Sequence, residues 1–145
     1  MSEGVKVAKE CELEYEKLKM DKKYHYITFK LDNQMETIVV EKTLDRGLCD
    51  SDVAYKRFLQ ELVETGDCRF AAFDVQWQHQ LELKNDIVFF SWLPENSPMR
   101  NKMVYTSCKD YIKKALKPTT EVQGTTINEF DFEIVKAKII LGKKF

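Results

Sequence analysis

The alternation of apolar and polar positions divides the chain into strands and helices that follow one another in interleaved order. Val7, Cys11, Tyr15 and Leu18 recur at spacings of four, four and three, which predicts a helix with one apolar stripe, and Glu10, Glu12, Glu14 and Glu16 fall on its other faces. Tyr24 to Leu31 (YHYITFKL) is aromatic and β-branched and predicts a strand. Asp32-Asn33 supplies turn chemistry, and Glu36 to Thr43 (ETIVVEKT) completes a hairpin. A second helix runs from a cap at Asp50 or Ser51 to about Val63, with Val53, Ala54, Phe58, Leu59 and Leu62 apolar, and Gly66-Asp67 ends it. Arg69 to Trp77 (RFAAFDVQW) and Asp86 to Trp92 (DIVFFSW) predict a third and a fourth strand, joined by a polar connection from Gln78 to Asn85. The near-continuous apolar run of the fourth predicts a central strand covered on both faces.

Pro94 and Pro98 frame a loop, and Pro98 opens the longest helix, which reaches Leu116 and stops at Pro118. Thr119 to Gln123 predicts a short fifth strand, and Ile127 to about Ile140 a last helix with Phe130, Ile134 and Ala137 inward. No repeat or linker interrupts this order. The expected fold class is therefore α/β: one domain over residues 1–145, with an ordered core of about 4–143 and a central mixed sheet of five to six strands sandwiched by helices.

Composition narrows the class of function. The 145 residues carry 23 Lys+Arg against 24 Asp+Glu, so no general charge draws the chain to nucleic acid or membrane, and any electrostatic role must come from local clustering. With 43% hydrophobic residues, five Gly and three Pro, the chain is neither disordered nor low-complexity. No apolar run approaches the roughly 20 residues that cross a bilayer. The polar, acidic start (Met1 to Glu12) does not have the character of a signal peptide. Cys11, Cys49, Cys68 and Cys108 are scattered without C-x-x-C spacing, and no N-x-Ser/Thr sequon occurs, which reads as reduced thiols in a cytoplasmic protein.

Catalytic equipment is sparse. His25 and His79 each sit in a strand-like run with aromatic neighbours and read as structural or surface residues; without paired cysteines they make no standard zinc site. The glycines form neither a dinucleotide fingerprint nor a phosphate loop, and there is no Gly-x-Ser-x-Gly elbow. Nothing local favours a cysteine–histidine pair. The expectation is a binding protein, not an enzyme, with no cofactor or metal.

The long helix is the informative element. At about 100° per residue, Asn101, Val104, Tyr105, Cys108, Tyr111, Ile112, Ala115 and Leu116 gather on one side, which should pack on the sheet. The opposite side carries Met99, Lys102, Met103, Thr106, Asp110, Lys113 and Lys114. Lysines are ordinary on a solvated face. Two methionines one turn apart in the middle of that face are not, and their flexible thioethers suit contact with a partner protein.

The run Ile87-Val88-Phe89-Phe90-Ser91-Trp92-x-Pro94-Glu95-x-x-Pro98-Met99-Arg100-x-Lys102-Met103-Val104-Tyr105-Thr106-Ser107-x-Lys109-Asp110 resembles the actin-depolymerising factor/cofilin family. Gly4-Val5-Lys6-Val7, Asp67-Cys68-Arg69-Phe70-Ala71 and Val122-Gln123-Gly124-Thr125 extend the resemblance over nearly the whole chain. It implies the fold of that family and a non-enzymatic protein that binds actin monomers and filaments, prefers the ADP-bound subunit, and promotes filament severing and depolymerisation in the cytoplasm. The family uses its N-terminal arm and long helix for the contact shared by monomer and filament. Joined with the wheel, the expected contact set is Gly4, Val5, Met99, Arg100, Lys102, Met103, Thr106, Lys109, Asp110, Lys113 and Lys114. A second, filament-only contact maps onto Lys84 before the fourth strand and Lys136 and Lys138 on the last helix. Asp86 falls where a second basic residue often stands, and Ala137 and Leu141 where charged residues are common, so a weakened second contact and weak severing are expected.

The family is often switched off by phosphorylation of a serine just before Gly-Val. Glu3 stands there, with Ser2 one position earlier, so either Ser2 is the regulated residue, shifted by one, or phosphorylation is not used. The basic helix face also implies competition from phosphoinositide headgroups at Lys102, Lys109, Lys113 and Lys114. The expected state is a monomer without nucleic-acid partners. The alternative is a sister-fold regulator that binds a nucleator complex, or coats filaments without severing them.

Overall fold

The computed structural model of the chain describes residues 4–143. A six-stranded mixed sheet runs in the order β1-β3-β2-β4-β5-β6. The strands are β1 (Lys6–Val7), β2 (Tyr24–Leu31), β3 (Thr37–Asp45), β4 (Arg69–His79), β5 (Glu82–Trp92) and β6 (Thr120–Gly124). The helices are α1 (Lys9–Lys19), α2 (Ser51–Thr65), α3 (Met99–Leu116) and α4 (Phe132–Leu141). The interior pairs β2/β3, β2/β4 and β4/β5 are antiparallel, and both edge strands, β1 on β3 and β6 on β5, pair in parallel. A parallel neighbour cannot be reached by a tight turn. The chain therefore crosses from β5 to β6 through α3, and that crossover lays the long helix along the sheet.

Period-two alternation builds two cores. Phe70 and Ala72 of β4 and Phe89 of β5 face α1 and α3, packing with Cys11, Tyr15, Leu18, Tyr105, Cys108, Ile112 and Leu116. Ala71, Phe73 and Val75 of β4 and Val88, Phe90 and Trp92 of β5 face α2 and α4, packing with Tyr55, Phe58, Leu62, Val135 and Ile139. Coverage on both faces is why β5 reads as an almost unbroken apolar run, and β5 is an interior strand as expected.

Several expectations need correction. Val7 does not begin the first helix. It lies in β1 opposite Ile38, and the Ala8 N–H donates to the Ile38 carbonyl (2.9 Å), so the strand pairing delays the helix to Lys9. The stretch from Gln78 to Asn85 is not a loop: β4 and β5 pair from Arg69↔Trp92 out to His79↔Glu82, turning at Gln80-Leu81 with Gln80 at φ 54°. That outer half is polar because it overhangs the cores. The last helix is split. Thr126 and Glu129 form a capping box on a 3-10 turn (Ile127–Phe130), and Asp131 then caps α4 by accepting from the Glu133 N–H (3.2 Å). The restart shifts the helical phase. Phe130, Val135 and Ile139 are buried, whereas Ile134 (44% accessible) and Ala137 are exposed. On α2, Val53 likewise points outward and Tyr55 takes the core position, its hydroxyl donating to the Phe130 carbonyl (2.6 Å).

Candidate functional site

Helix α3 is fixed from its inner side. Tyr105, Cys108, Ile112 and Leu116 are buried at i, i+3, i+7 and i+11, and burial of Ile112 and Leu116 stabilises by about 1.5–3 kcal/mol each. The Leu31 N–H donates to the Tyr105 hydroxyl (2.9 Å), and burial pushes the Tyr105 phenol up to about 12, so it remains neutral. The Asn101 amide donates to both carboxylate oxygens of Asp67 (2.9 and 3.0 Å), tying the first turn of α3 to the turn before β4. Lys117 adopts a left-handed conformation (φ 56°) and ends the helix ahead of Pro118. The inward assignment holds except at Tyr111, which is 42% accessible because it sits at the margin of the stripe.

The outer side is a ridge between two unlike flanks. Met99 (68% accessible) and Met103 (65%) project into solvent one turn apart, followed on the same line by Thr106 and Asp110, both exposed. On the flank toward β6, three lysines are tethered. Lys102 Nζ donates to the Glu95 carbonyl (2.8 Å), Lys109 Nζ to Gln123 Oε1 (3.0 Å) and Lys113 Nζ to Glu121 Oε2 (2.7 Å). The hydrogen bond to Glu121 raises the Lys113 ammonium above the ordinary lysine range. On the other flank lie Arg100 and Lys114, neither of which has an ion-pair partner among the described residues. The arm is held beside this face: Val5 packs against the α1/α3 core, the Lys6 N–H donates to the Glu36 carbonyl (2.9 Å), and β1 touches α3. Gly4 is exposed at the start of the described residues, and Ser2 and Glu3 lie outside them.

The other expected cluster lies on the opposite sheet face, because Lys84 and Asp86 share the alternation phase of Val88 and Phe90 on β5. Lys84 pairs with Glu82 (3.3 Å). Asp86 accepts from the Trp77 indole (2.6 Å) and from Lys143 (2.8 Å), so the acidic residue at this position is part of the local structure. Lys136 lines a groove of about 660 Å³ with Tyr55, Trp77 and Phe132, and Lys138 is exposed on α4. The structure thus brings the arm up to α3 and sets Lys84, Lys136 and Lys138 apart from it, on the side of the sheet that α4 covers. Sequence reasoning missed Glu95, Glu121 and Gln123 as partners of the helix lysines. The signal was available for two of them: 121 and 123 share one face of a strand, as 109 and 113 share one face of a helix.

The remaining reactive groups serve the core. All four cysteines are free thiols. Burial pushes Cys11 up to about 12 and Cys108 to about 11, far from thiolate chemistry at neutral pH. His25 is buried with Nε2 against the Cys49 carbonyl (2.7 Å). No group of three or more His, Cys, Asp or Glu among the described residues is arranged to hold a metal ion. Nor is any described helix long and apolar enough to cross a membrane.

Comparison with known proteins agrees with this geometry. Residues 4–140 match the family model described as cofilin/tropomyosin-type actin-binding protein. The chain is 38% identical over 141 residues to a cofilin of Mycosarcoma maydis, covering 96% of both chains. It is 36% identical to a cofilin of Schizosaccharomyces pombe over 94% of this chain and 95% of that one. A crystal structure of Streptomyces griseoflavus cofilin superposes with a TM-score of 0.85 at 35% identity, covering 97% of this chain and 100% of that one. With its long crossover helix set beside an N-terminal strand, on a sheet covered on both faces, this chain belongs to the actin-depolymerising factor/cofilin family, which is actin-binding and without enzymatic activity.

Proposed function

We propose that this chain binds actin monomers and filaments through the Gly4–Val5 arm and the outer face of α3, and promotes filament depolymerisation and turnover at the cytoskeleton. The observation that carries the reading is the exposed Met99–Met103 ridge on a helix whose inner side is locked into the core. The ridge supplies adaptable apolar contact at the centre of the face. Arg100, Lys102, Lys109, Lys113 and Lys114 supply positive charge around it, which steers an acidic partner and sets its orientation. Thr106 and Asp110 complete the contact. A micromolar complex needs about −8 kcal/mol, within reach of such a patch.

The filament-only contact is assigned to Lys84, Lys136 and Lys138 and is weak, because Asp86 is acidic and committed to Trp77 and Lys143. Severing is accordingly weak. The ADP-bound subunit is the preferred form of actin. Phosphoinositide headgroups compete for the same helix lysines, and a phosphate on Ser2 would add nearly two negative charges beside the arm and repel an acidic partner. A monomer-binding titration run beside filament-length microscopy tests the assignment. Monomer binding with slow shortening and few new ends supports it, whereas tight stoichiometric filament decoration with frequent cutting contradicts the weak second contact.

A further inference from the structure

The lysines on the β6 side of α3 do not present equal charge. Two rungs join the helix to the strand with the same geometry, Lys109 to Gln123 at 3.0 Å and Lys113 to Glu121 at 2.7 Å. The residues at each end of the rungs are i and i+4 on the helix and i and i+2 on the strand, so all four side chains share one surface. At the first rung the acceptor is a neutral amide, and Lys109 keeps a full positive charge available to a partner. At the second the acceptor is a carboxylate, which offsets part of the charge that Lys113 offers to a partner. Glu121 and Gln123 are both exposed at the rim of the proposed contact face.

We infer that Glu121 is a specificity-determining residue of the actin contact: it holds Lys113 in place and masks its charge, lowering affinity for an acidic partner below what the lysine row could reach. The inference rests on the helix-face reading of the preceding subsection. Its chemistry is simple. A partner carboxylate approaching Lys113 must displace or share with Glu121, and it meets a like charge as it does so. Replacing Glu121 by glutamine turns the second rung into a copy of the first, so Lys113 stays positioned while its charge is released. Exposed ion pairs of this kind are weak, so the expected gain is about two- to fivefold in affinity. It should shrink as salt screens the face.

The test is a titration of purified actin monomers with the wild-type chain, Glu121→Gln, Lys113→Ala, the double variant and Met103→Ala, at low and at physiological salt. Glu64→Gln on α2, across the sheet, controls for net charge, and melting temperatures control for folding. Glu121→Gln should bind two- to fivefold tighter at low salt with a smaller gain at physiological salt, Lys113→Ala should bind more weakly, and in the Lys113→Ala background the gain from Glu121→Gln should shrink to what the lost like charge alone supplies. An unchanged or weakened Glu121→Gln, the same gain in the Lys113→Ala background, or an equal gain from Glu64→Gln overturns the masking role while leaving the helix face in place. Undiminished binding by Met103→Ala removes the helix-face reading and the inference with it.

Discussion

Replacing Tyr105 by phenylalanine separates the inner side of α3 from the outer one. The ring stays, packed in a tilted contact on Phe70 (centroids 5.3 Å apart), so no cavity forms. What disappears is the hydroxyl that accepts from the Leu31 N–H at 2.9 Å, at a site where both residues are at most 5% accessible. A buried donor left without a partner costs about 1–3 kcal/mol. The middle of that range, about 2 kcal/mol, lowers the midpoint of thermal unfolding by about 4–8 °C in a domain of this size. Urea unfolding of Tyr105→Phe should show the loss as a lower midpoint at unchanged slope, because the surface exposed on unfolding is the same. Actin-monomer affinity should not change, since the hydroxyl points away from Met99 and Met103. A loss below about 0.5 kcal/mol would refute the accounting for that hydrogen bond. A large drop in actin affinity at unchanged stability would refute the division of the helix into an anchoring side and a contact side.

Three further outcomes follow from the core. The Asp74 carboxylate is fully buried, accepting from Arg46, from Lys22 (3.4 Å) and from Asn85 (3.3 Å). Arg46→Ala removes one of its two counter-charges while Lys22 stays in place, and should cost about 1.5–3 kcal/mol by chemical denaturation, more than changes at the exposed pairs. At Gly124 an added Cβ would stand 2.9 Å from Phe130 Cε1 and 3.2 Å from Glu129 Cβ, so Gly124→Ala should destabilise by about 1–3 kcal/mol through overpacking, measured by the same unfolding curves. The pH dependence should be a plateau with two shoulders. Tyr24 and Tyr105 are raised to about 12, mainly by burial, and hold their protons more tightly folded than unfolded; their contribution is complete below the ordinary tyrosine value of 10 and is lost as pH rises through about 12. Glu14, Glu41 and Glu129 are lowered by hydrogen bonds from Tyr24, from Arg69 against an opposing burial effect, and from the Thr125 and Thr126 N–H groups respectively; their contribution is complete above the ordinary value of 4.5 and fades as pH falls below it. Melting temperature measured across pH should therefore fall at both ends and stay level between them.

The elements that were legible in the sequence are those whose side chains meet one solvent-facing and one core-facing environment. Helix α3 is the clearest case: its start after Pro98, its outward methionines and its apolar stripe, Tyr111 excepted, stand where the sequence places them. β2 and the apolar half of β5 were equally plain, because branched and aromatic residues packed on two faces leave a dense apolar run. The errors have physical causes of their own. The spacing of Val7 fits a helix, yet its parallel pairing with β3 is a long-range contact that no local pattern encodes. Gln78 to Asn85 has the composition of a loop because polar residues dominate where a hairpin projects beyond its cores. The inward side of α4 was displaced because a capping box and Asp131 restart the helix, shifting the buried positions from Ile134 to Val135 and Ile139. At the candidate site, the methionines and lysines were visible as residue types at helical spacing. Their state was not. Whether a lysine is tethered to a carbonyl, an amide or a carboxylate depends on β6 and the loop at Glu95, which reach α3 only through the fold.

The proposed actin contact has the Met99–Met103 ridge of α3 at its middle. The direct measurement is the equilibrium affinity of the Met99→Ala/Met103→Ala double variant for purified actin monomers, compared with the wild-type chain. Both side chains stand in solvent, so the melting temperature should hold. The complex should be at least tenfold weaker, a loss of about 1.4 kcal/mol or more in binding free energy. Wild-type affinity in a folded double variant would contradict it.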